Sequence, residues 1–131
     1  MMIEEFKERL EEGLEGEKVI RDFLIKKGIH FFQADLIFKK NEKWYLGEVK
    51  HQETFEPPPF YGHGLPLWQV EARLNFQKEK GIRVVLFIVD KKTNIIYWQF
   101  MDLLIKGNYI QTQGEKPRVV FPLESFKILK I

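Results

Sequence analysis

Hydrophobic residues recur at helical spacing in the first part of the chain and at strand-like spacing after it. Over residues 3–27 the apolar positions return every three or four residues, and Gly28 supplies a stop signal. The segments 29–38 and 43–51 are rich in aromatic and β-branched residues and are joined by the polar turn 39–42. The pattern predicts a helix followed by a β-hairpin.

The second half of the chain predicts a long loop and then an alternation of helix and strand. Four of the six prolines and two glycines fall in segment 57–66, which is typical of a loop. The later segments predict a helix over 67–80 ended by Gly81, a central strand over 82–89, a strand over 95–100, a short helix over 101–105 and a last strand over 118–121, with 123–129 open between helix and strand. This order predicts an α/β fold with a mixed sheet, in a single domain spanning 1–131.

Composition excludes several classes of protein. Hydrophobic residues make up 44% and charged residues 31%, as in a globular protein rather than a disordered one. Cysteine is absent, so disulfides, thiolate catalysis and thiolate metal sites are excluded. An acidic start and the lack of an apolar stretch of about 18 residues predict a cytoplasmic protein that does not enter a membrane. The net charge of +2 neither supports nor excludes a nucleic-acid partner.

Charged residues stand at positions where the apolar pattern predicts a covered face. Asp35 shares a face of its strand with Ile37, and Glu48 and Lys50 leave one face of the next strand. Glu17 falls on the apolar stripe of the first helix. A buried carboxylate is costly unless it is paired or coordinated. Three acids brought together favour a hard divalent cation with oxygen ligands, and Mg²⁺ fits best.

These residues resemble a known family. Asp35, twelve further residues and then Glu48-Val49-Lys50 resemble the D-(x)n-E-x-K signature of the PD-(D/E)XK nuclease superfamily. The segment 13–17, Gly-Leu-Glu-Gly-Glu, resembles the first helix of archaeal Holliday-junction resolvases. The resemblance covers roughly residues 10 to 100. It implies a restriction-endonuclease-like α/β fold, with a mixed central sheet and an αβββαβ-type core flanked by helices.

The resemblance implies a Mg²⁺-dependent DNA endonuclease that hydrolyses phosphodiester bonds with metal-activated water, with Mn²⁺ as a substitute ion. Its metal ligands would be Asp35, Glu48, the Val49 carbonyl and Glu17. Lys50 would orient the attacking water and offset the charge of the scissile phosphate. We expect recognition of DNA structure rather than sequence, in repair, recombination or a phage. We also expect a homodimer, because two sites can then cut two strands.

The second helix and the loop before it hold the remaining candidates. The resemblance brings Gln69 to the active site, although Arg73 stands where a Q-x-x-x-Y form found in part of the superfamily has tyrosine. Arg73 and Lys80 are predicted to lie opposite the apolar stripe of this helix and to contact the substrate. Tyr61 and Trp68 are candidates for stacking on bases, with packing or an interface as the alternative.

Two further hypotheses stay open. The first is a non-catalytic nucleic-acid-binding or assembly module with the same fold. The second is a structural α/β domain in which Glu48 and Lys50 form a surface charge pair. The histidines, among them His51 and His63, lack metal-binding spacing and are predicted to be loop or surface residues.

Overall fold

The structure is a computed structural model, and it describes residues 19–20, 22–23, 25–29 and 36–129. The chain divides into two units between positions 33 and 34. In the first unit the described positions between 19 and 26 are helical. Gly28 follows with a φ of 69°, which is in the left-handed region, and its N–H donates to the Ile25 carbonyl at 3.0 Å. The predicted end of the first helix is confirmed.

The second unit begins with the predicted β-hairpin. Strand β1 (Leu36–Lys40) pairs antiparallel with strand β2 (Lys43–Gln52), with Leu36 opposite Gly47. Asn41 and Glu42 form the turn, with φ angles of 51° and 67°. A two-residue turn with both residues at positive φ matches the right-handed twist of the flanking strands. The hairpin is confirmed, and its turn is shorter than the predicted segment 39–42.

The remaining elements form two sheets. In chain order they are β3 (Gly62–Pro66), α1 (Leu67–Lys80), β4 (Arg83–Asp90), β5 (Ile96–Phe100), α2 (Met101–Lys106), β6 (Ile110–Gln111), β7 (Arg118–Pro122), a 3-10 helix (Leu123–Ser125) and β8 (Lys127–Ile128). One sheet has the strand order β1-β2-β4-β5-β8, and the other has the order β3-β7-β6. In the first sheet β2 and β4 are parallel and the other neighbours are antiparallel. The predicted α/β class with a mixed sheet is confirmed.

Helix α1 makes the crossover that parallel strands require. Gly81 ends it with a φ of 70°. The Val84 N–H, near the start of β4, donates to the side-chain oxygen of Gln77 in the last turn of the helix. The helix therefore runs antiparallel to β2 and β4. Strand β4 has neighbours on both sides, which confirms the predicted central strand.

Strand β3 corrects the prediction of one long loop over 57–66. It pairs antiparallel with β7 in the second sheet. A Cβ added at Gly64 would lie 1.9 Å from the Val119 carbonyl oxygen, and one at Gly62 would lie 2.2 Å from that of Phe121. The two glycines thus permit a close approach of strand backbones, rather than marking a turn.

The hydrophobic core lies between one face of the first sheet, helix α1 and the second sheet. Its buried members come from both sheets and both helices: Leu46, Leu65, Val70, Val84, Leu86, Ile88, Tyr97, Met101, Leu104, Val119, Phe121 and Phe126. We call this face of the first sheet the covered face. No helix among the described residues has the length and apolar character needed to cross a membrane.

Candidate functional site

Glu48 is a charged residue inside the core layer. It follows Leu46 on the covered face of β2, and Leu86 is its register partner on β4. Only 2% of Glu48 is exposed. The hypothesis that Glu48 belongs to a surface charge pair is therefore wrong. A carboxylate at this position requires partners, because its charge is removed from water.

Arg73 of helix α1 is the first partner of Glu48. Its Nε donates to Oε2 of Glu48 at 2.9 Å, and its Nη2 lies 2.9 Å from the same oxygen. Arg73 is 9% exposed and, like Val70, is on the buried side of the helix. The prediction that Arg73 lies opposite the apolar stripe is wrong, because the buried side extends to an arginine that neutralises an acid on the sheet.

Lys50 is the second partner of Glu48. Its Nζ lies 3.4 Å from Oε1 of Glu48, and 23% of its side chain is exposed. Lys50 leaves the covered face two residues after Glu48, as the period-two pattern predicts. Two cationic groups therefore flank one carboxylate, and the more exposed of the two is at Oε1.

Gln69 lies one helical turn before Arg73. Its Oε1 is buried and has no hydrogen-bond partner among the described residues. One turn of a helix and two residues of a strand both advance the chain by about 6 Å. Because α1 runs antiparallel to β2, Gln69 lies level with Lys50 when Arg73 is level with Glu48. An unsatisfied buried acceptor is uncommon in a folded protein, and here it belongs to the helical turn before Arg73.

Two of the predicted metal ligands, Asp35 and Glu17, lie outside the described residues. Val49 points to the face opposite Glu48 and is 36% exposed. Within the described ranges no group of three or more histidine or acidic residues is placed to hold a metal ion. The described part of the candidate site therefore contributes one carboxylate, Glu48, to any metal centre.

The predicted substrate contacts are separated from one another. Lys80 is exposed in the last turn of α1, and at 1.5 Å per residue it lies about 16 Å along the helix from Gln69. Tyr61 and Trp68 are 58% and 65% exposed. They flank the five-residue strand β3, which separates them by roughly 20 Å. These two aromatic residues therefore do not form a single stacking platform.

A second buried polar cluster joins the two sheets. His63 on β3 is fully buried, with its Nδ1 3.0 Å from Oε1 of Gln52 and its Nε2 3.1 Å from Oδ2 of Asp90. The Thr54 hydroxyl donates to the same oxygen of Asp90. The prediction that His63 is a loop or surface residue is wrong. The sequence would have indicated burial if the segment around His63 had been predicted as a strand. Gly62 and Gly64, on either side of His63, favoured a loop instead.

The ionisation of this cluster follows from burial and hydrogen bonding. Burial lowers the pKa of His63 by more than the hydrogen bond and charge of Asp90 raise it. Burial opposes the ionisation of Asp90, but hydrogen bonds from Thr54, from the Thr93 and Lys92 N–H groups and from His63 outweigh it. They hold the pKa of Asp90 well below its ordinary value.

The cluster does not have the geometry of a nucleophilic triad. In a triad, the hydroxyl and the carboxylate lie on different nitrogens of the histidine ring. Here Thr54 donates to Asp90, and both lie on the Nε2 side of His63. Gln52 occupies the Nδ1 side and also forms a pair of hydrogen bonds with the Gly64 backbone. The cluster therefore connects β3 to β2 and β4 through side-chain hydrogen bonds.

No family model, curated protein or solved structure matches the chain.

Proposed function

We propose that the protein is a Mg²⁺-dependent endonuclease of the PD-(D/E)XK type, with the restriction-endonuclease-like fold, which hydrolyses DNA phosphodiester bonds. The observation that carries the proposal is the buried pair on β2, in which Glu48 is 2% exposed and Lys50 Nζ lies 3.4 Å from its Oε1. Burying an E-x-K pair on the covered face of an internal strand costs desolvation free energy, so the presence of the pair favours a functional role. The hairpin whose second strand carries the pair, and the crossover helix that follows, support the resemblance in the sequence.

The donor set is compatible with Mg²⁺ only in part. Oxygen ligands suit this ion, and Glu48 offers Oε1, which lies next to Lys50, the more exposed of its two cationic partners. The proposal assigns the other acidic ligands to Asp35 and Glu17 and a carbonyl ligand to Val49. When bound, the ion would lower the pKa of a water molecule and neutralise charge on the phosphate.

The proposal assigns the other catalytic roles to residues of the chain. Glu48 would hold the ion, and Lys50 would orient the attacking water and balance phosphoryl charge. The buried Oε1 of Gln69 has no hydrogen-bond partner among the described residues, which suits it to accept a hydrogen bond from that water or from the Lys50 ammonium. Two copies of the chain would cut two strands of a branched or duplex DNA, and Mn²⁺ would replace Mg²⁺.

A second candidate function is a nucleic-acid-binding or assembly module without catalysis. The observation that favours it is the charge balance at Glu48, since Arg73 and Lys50 already surround this carboxylate with two cations. In that case the cluster would stabilise the fold, and the net positive charge would contribute to phosphate binding.

The deciding experiment measures cleavage of labelled duplex, single-stranded, flap and four-way-junction DNA in Mg²⁺, Mn²⁺ and EDTA. Wild type is compared with Glu48→Gln and Lys50→Met, and exposed residues of helix α1 provide the matched controls Glu71→Gln and Lys78→Met. We expect metal-dependent cutting that both site variants abolish and both controls retain. Binding without cutting by wild type would establish the second candidate, and cutting that survives Glu48→Gln would contradict the assigned site.

A further inference from the structure

The two oxygens of the Glu48 carboxylate have different partners. Both Nε and Nη2 of Arg73 lie 2.9 Å from Oε2, whereas the nearest cationic group to Oε1 in the described part of the chain is the more distant Nζ of Lys50, at 3.4 Å. A bidentate arginine usually places one nitrogen on each oxygen of a carboxylate. Here the planar guanidinium uses two nitrogens on one oxygen and leaves the other oxygen directed toward Lys50.

We propose that Arg73 is a positioning residue that holds Glu48 by Oε2 and so presents Oε1 as the oxygen that binds a divalent cation. This inference rests on the proposed function. It changes the role of Arg73 from substrate contact to support of a ligand. The assignment agrees with the 9% exposure of Arg73, which leaves little of its side chain accessible to DNA.

The surroundings of Arg73 suit this role. Its helix is anchored in the core by Val70, one turn away, so the guanidinium approaches Glu48 from a fixed element. The guanidinium fork is rigid, and its hydrogen bond from Nε together with the ion-pair contact of Nη2 on the same oxygen restricts rotation of the carboxylate. A lysine ammonium at the same place would supply the charge without the two-nitrogen contact.

The sign of a change in cation affinity separates this role from a simple charge effect. Removal of a nearby positive charge, acting by electrostatics alone, would strengthen the binding of Mn²⁺. Removal of a residue that orients a ligand weakens metal binding, typically by about 10–100-fold. Arg73→Met therefore gives opposite results under the two explanations.

The experiment measures Mn²⁺ binding to the full chain by titration calorimetry, without DNA, for wild type, Glu48→Gln, Arg73→Met and Arg73→Lys. Arg83→Met is the matched control, because it breaks another arginine–carboxylate pair, with Asp102. Thermal unfolding without metal checks that each variant folds. We expect Glu48→Gln and Arg73→Met to weaken Mn²⁺ binding about tenfold or more. Arg73→Lys should also bind Mn²⁺ less tightly than wild type, while Arg83→Met should keep the wild-type affinity.

Each result decides between the two proposals. Wild-type or tighter Mn²⁺ binding by the Arg73 variants, with binding lost in Glu48→Gln, would overturn the positioning role and leave the nuclease proposal intact. If Arg73→Met does not fold, Arg73→Lys decides alone, and an affinity equal to wild type overturns the inference. A folded wild type that binds no Mn²⁺ would overturn both proposals.

Discussion

The Nε2 atom of His63 lies 3.1 Å from Oδ2 of Asp90, and both side chains are at most 1% exposed. This contact links β3 in the second sheet to β4 in the first. Gln52 and Thr54 complete the hydrogen bonds around it. The pair therefore contributes to how the two sheets are held together, and its ionisation connects that packing to pH.

Acid should destabilise the protein through both members of the pair. Burial holds the pKa of His63 below its ordinary 6.5, so the unfolded chain binds more protons than the folded chain once the pH falls below that value. The pKa of Asp90 lies below its ordinary 3.8, so its contribution is present above that pH and is lost as the pH falls through the folded-state pKa. The unfolding temperature should decline from about pH 6.5 downward and more steeply below about pH 4.

Calorimetric unfolding across this pH range checks the prediction. His63→Gln should lower the unfolding temperature and remove the part of the decline that begins near the ordinary histidine pKa of 6.5. His51→Gln is the matched control, because His51 is exposed and should leave the profile unchanged. A decline in His63→Gln that equals the wild-type decline would assign the pH dependence to other groups.

Gly64 should be one of the least tolerant positions in the second sheet. A Cβ there would lie 1.9 Å from the Val119 carbonyl oxygen and 2.8 Å from the Val120 Cα. Backbone atoms cannot yield as a flexible side chain does, so Gly64→Ala must separate β3 from β7. We expect a loss of about 3 kcal/mol or more in the free energy of unfolding.

Urea denaturation measures this loss, and hydrogen exchange shows whether it is confined to β3 and β7. Gly107→Ala is the control, since the nearest atom to its added Cβ would be 3.6 Å away and its φ is −90°. Its effect should be within about 0.5 kcal/mol of wild type. Comparable stabilities for the two variants would show that β3 and β7 accommodate a methyl group at Gly64 and would contradict the prediction.

The Arg83–Asp102 pair should give a modest, pH-dependent contribution to stability. Two nitrogens of Arg83 donate to the two carboxylate oxygens at 2.9 Å, and Gln77 also donates to Asp102. The hydrogen bonds from Arg83 hold the pKa of Asp102 below its ordinary 3.8. Because 39% of the Arg83 side chain is exposed, solvent screening reduces the expected cost of Asp102→Asn to about 1 kcal/mol.

Urea denaturation at neutral and acidic pH tests this estimate. The stability difference between wild type and Asp102→Asn should be full above about pH 4 and shrink as the pH falls further, because the lowered pKa makes the carboxylate contribution disappear on protonation. Glu115→Gln, at an exposed position, should show no such difference. A difference that persists unchanged at low pH would mean that the charge of Asp102 is not responsible.

The sequence pattern predicted those elements in which one periodicity dominates. The hairpin, helix α1 and strand β4 have uninterrupted apolar patterns and clear end signals. Helix α1 has its predicted bounds, and the observed ends of β2 and β4 and the C-terminal end of β1 lie within two residues of the predicted ones. Strand β3 was missed because Gly62, Gly64 and Pro66 are turn residues in isolation. Their use in a strand depends on the distance to β7, which only the tertiary structure determines.

The sequence pattern likewise placed some residues of the candidate site correctly and misplaced others. The period-two pattern correctly placed Glu48 and Lys50 on one face of β2, because a strand fixes side-chain direction locally. The pattern misplaced Arg73 because an arginine on the buried side of a helix is favourable only when a partner lies opposite. That partner is 25 positions earlier in the chain, on another element. His63 was misread for the same reason, since Asp90 and Gln52 make its burial possible.

Lys50 should compete with a divalent cation for Oε1 of Glu48 if the proposed function holds. Its Nζ lies 3.4 Å from that oxygen, and the positive charge of the ammonium would repel a cation bound there. Lys50→Met removes the competing charge, so Mn²⁺ should bind about fivefold more tightly, equivalent to about 1 kcal/mol. Cleavage should nevertheless be lost, because the lysine is needed to orient water and balance phosphoryl charge.

Titration calorimetry and the DNA cleavage assay separate the two effects, with Lys78→Met as the control for an exposed lysine. Tighter Mn²⁺ binding together with lost cleavage would distinguish a catalytic lysine from a structural partner of Glu48, whereas weaker binding would show that Lys50 supports the carboxylate and does not compete for it.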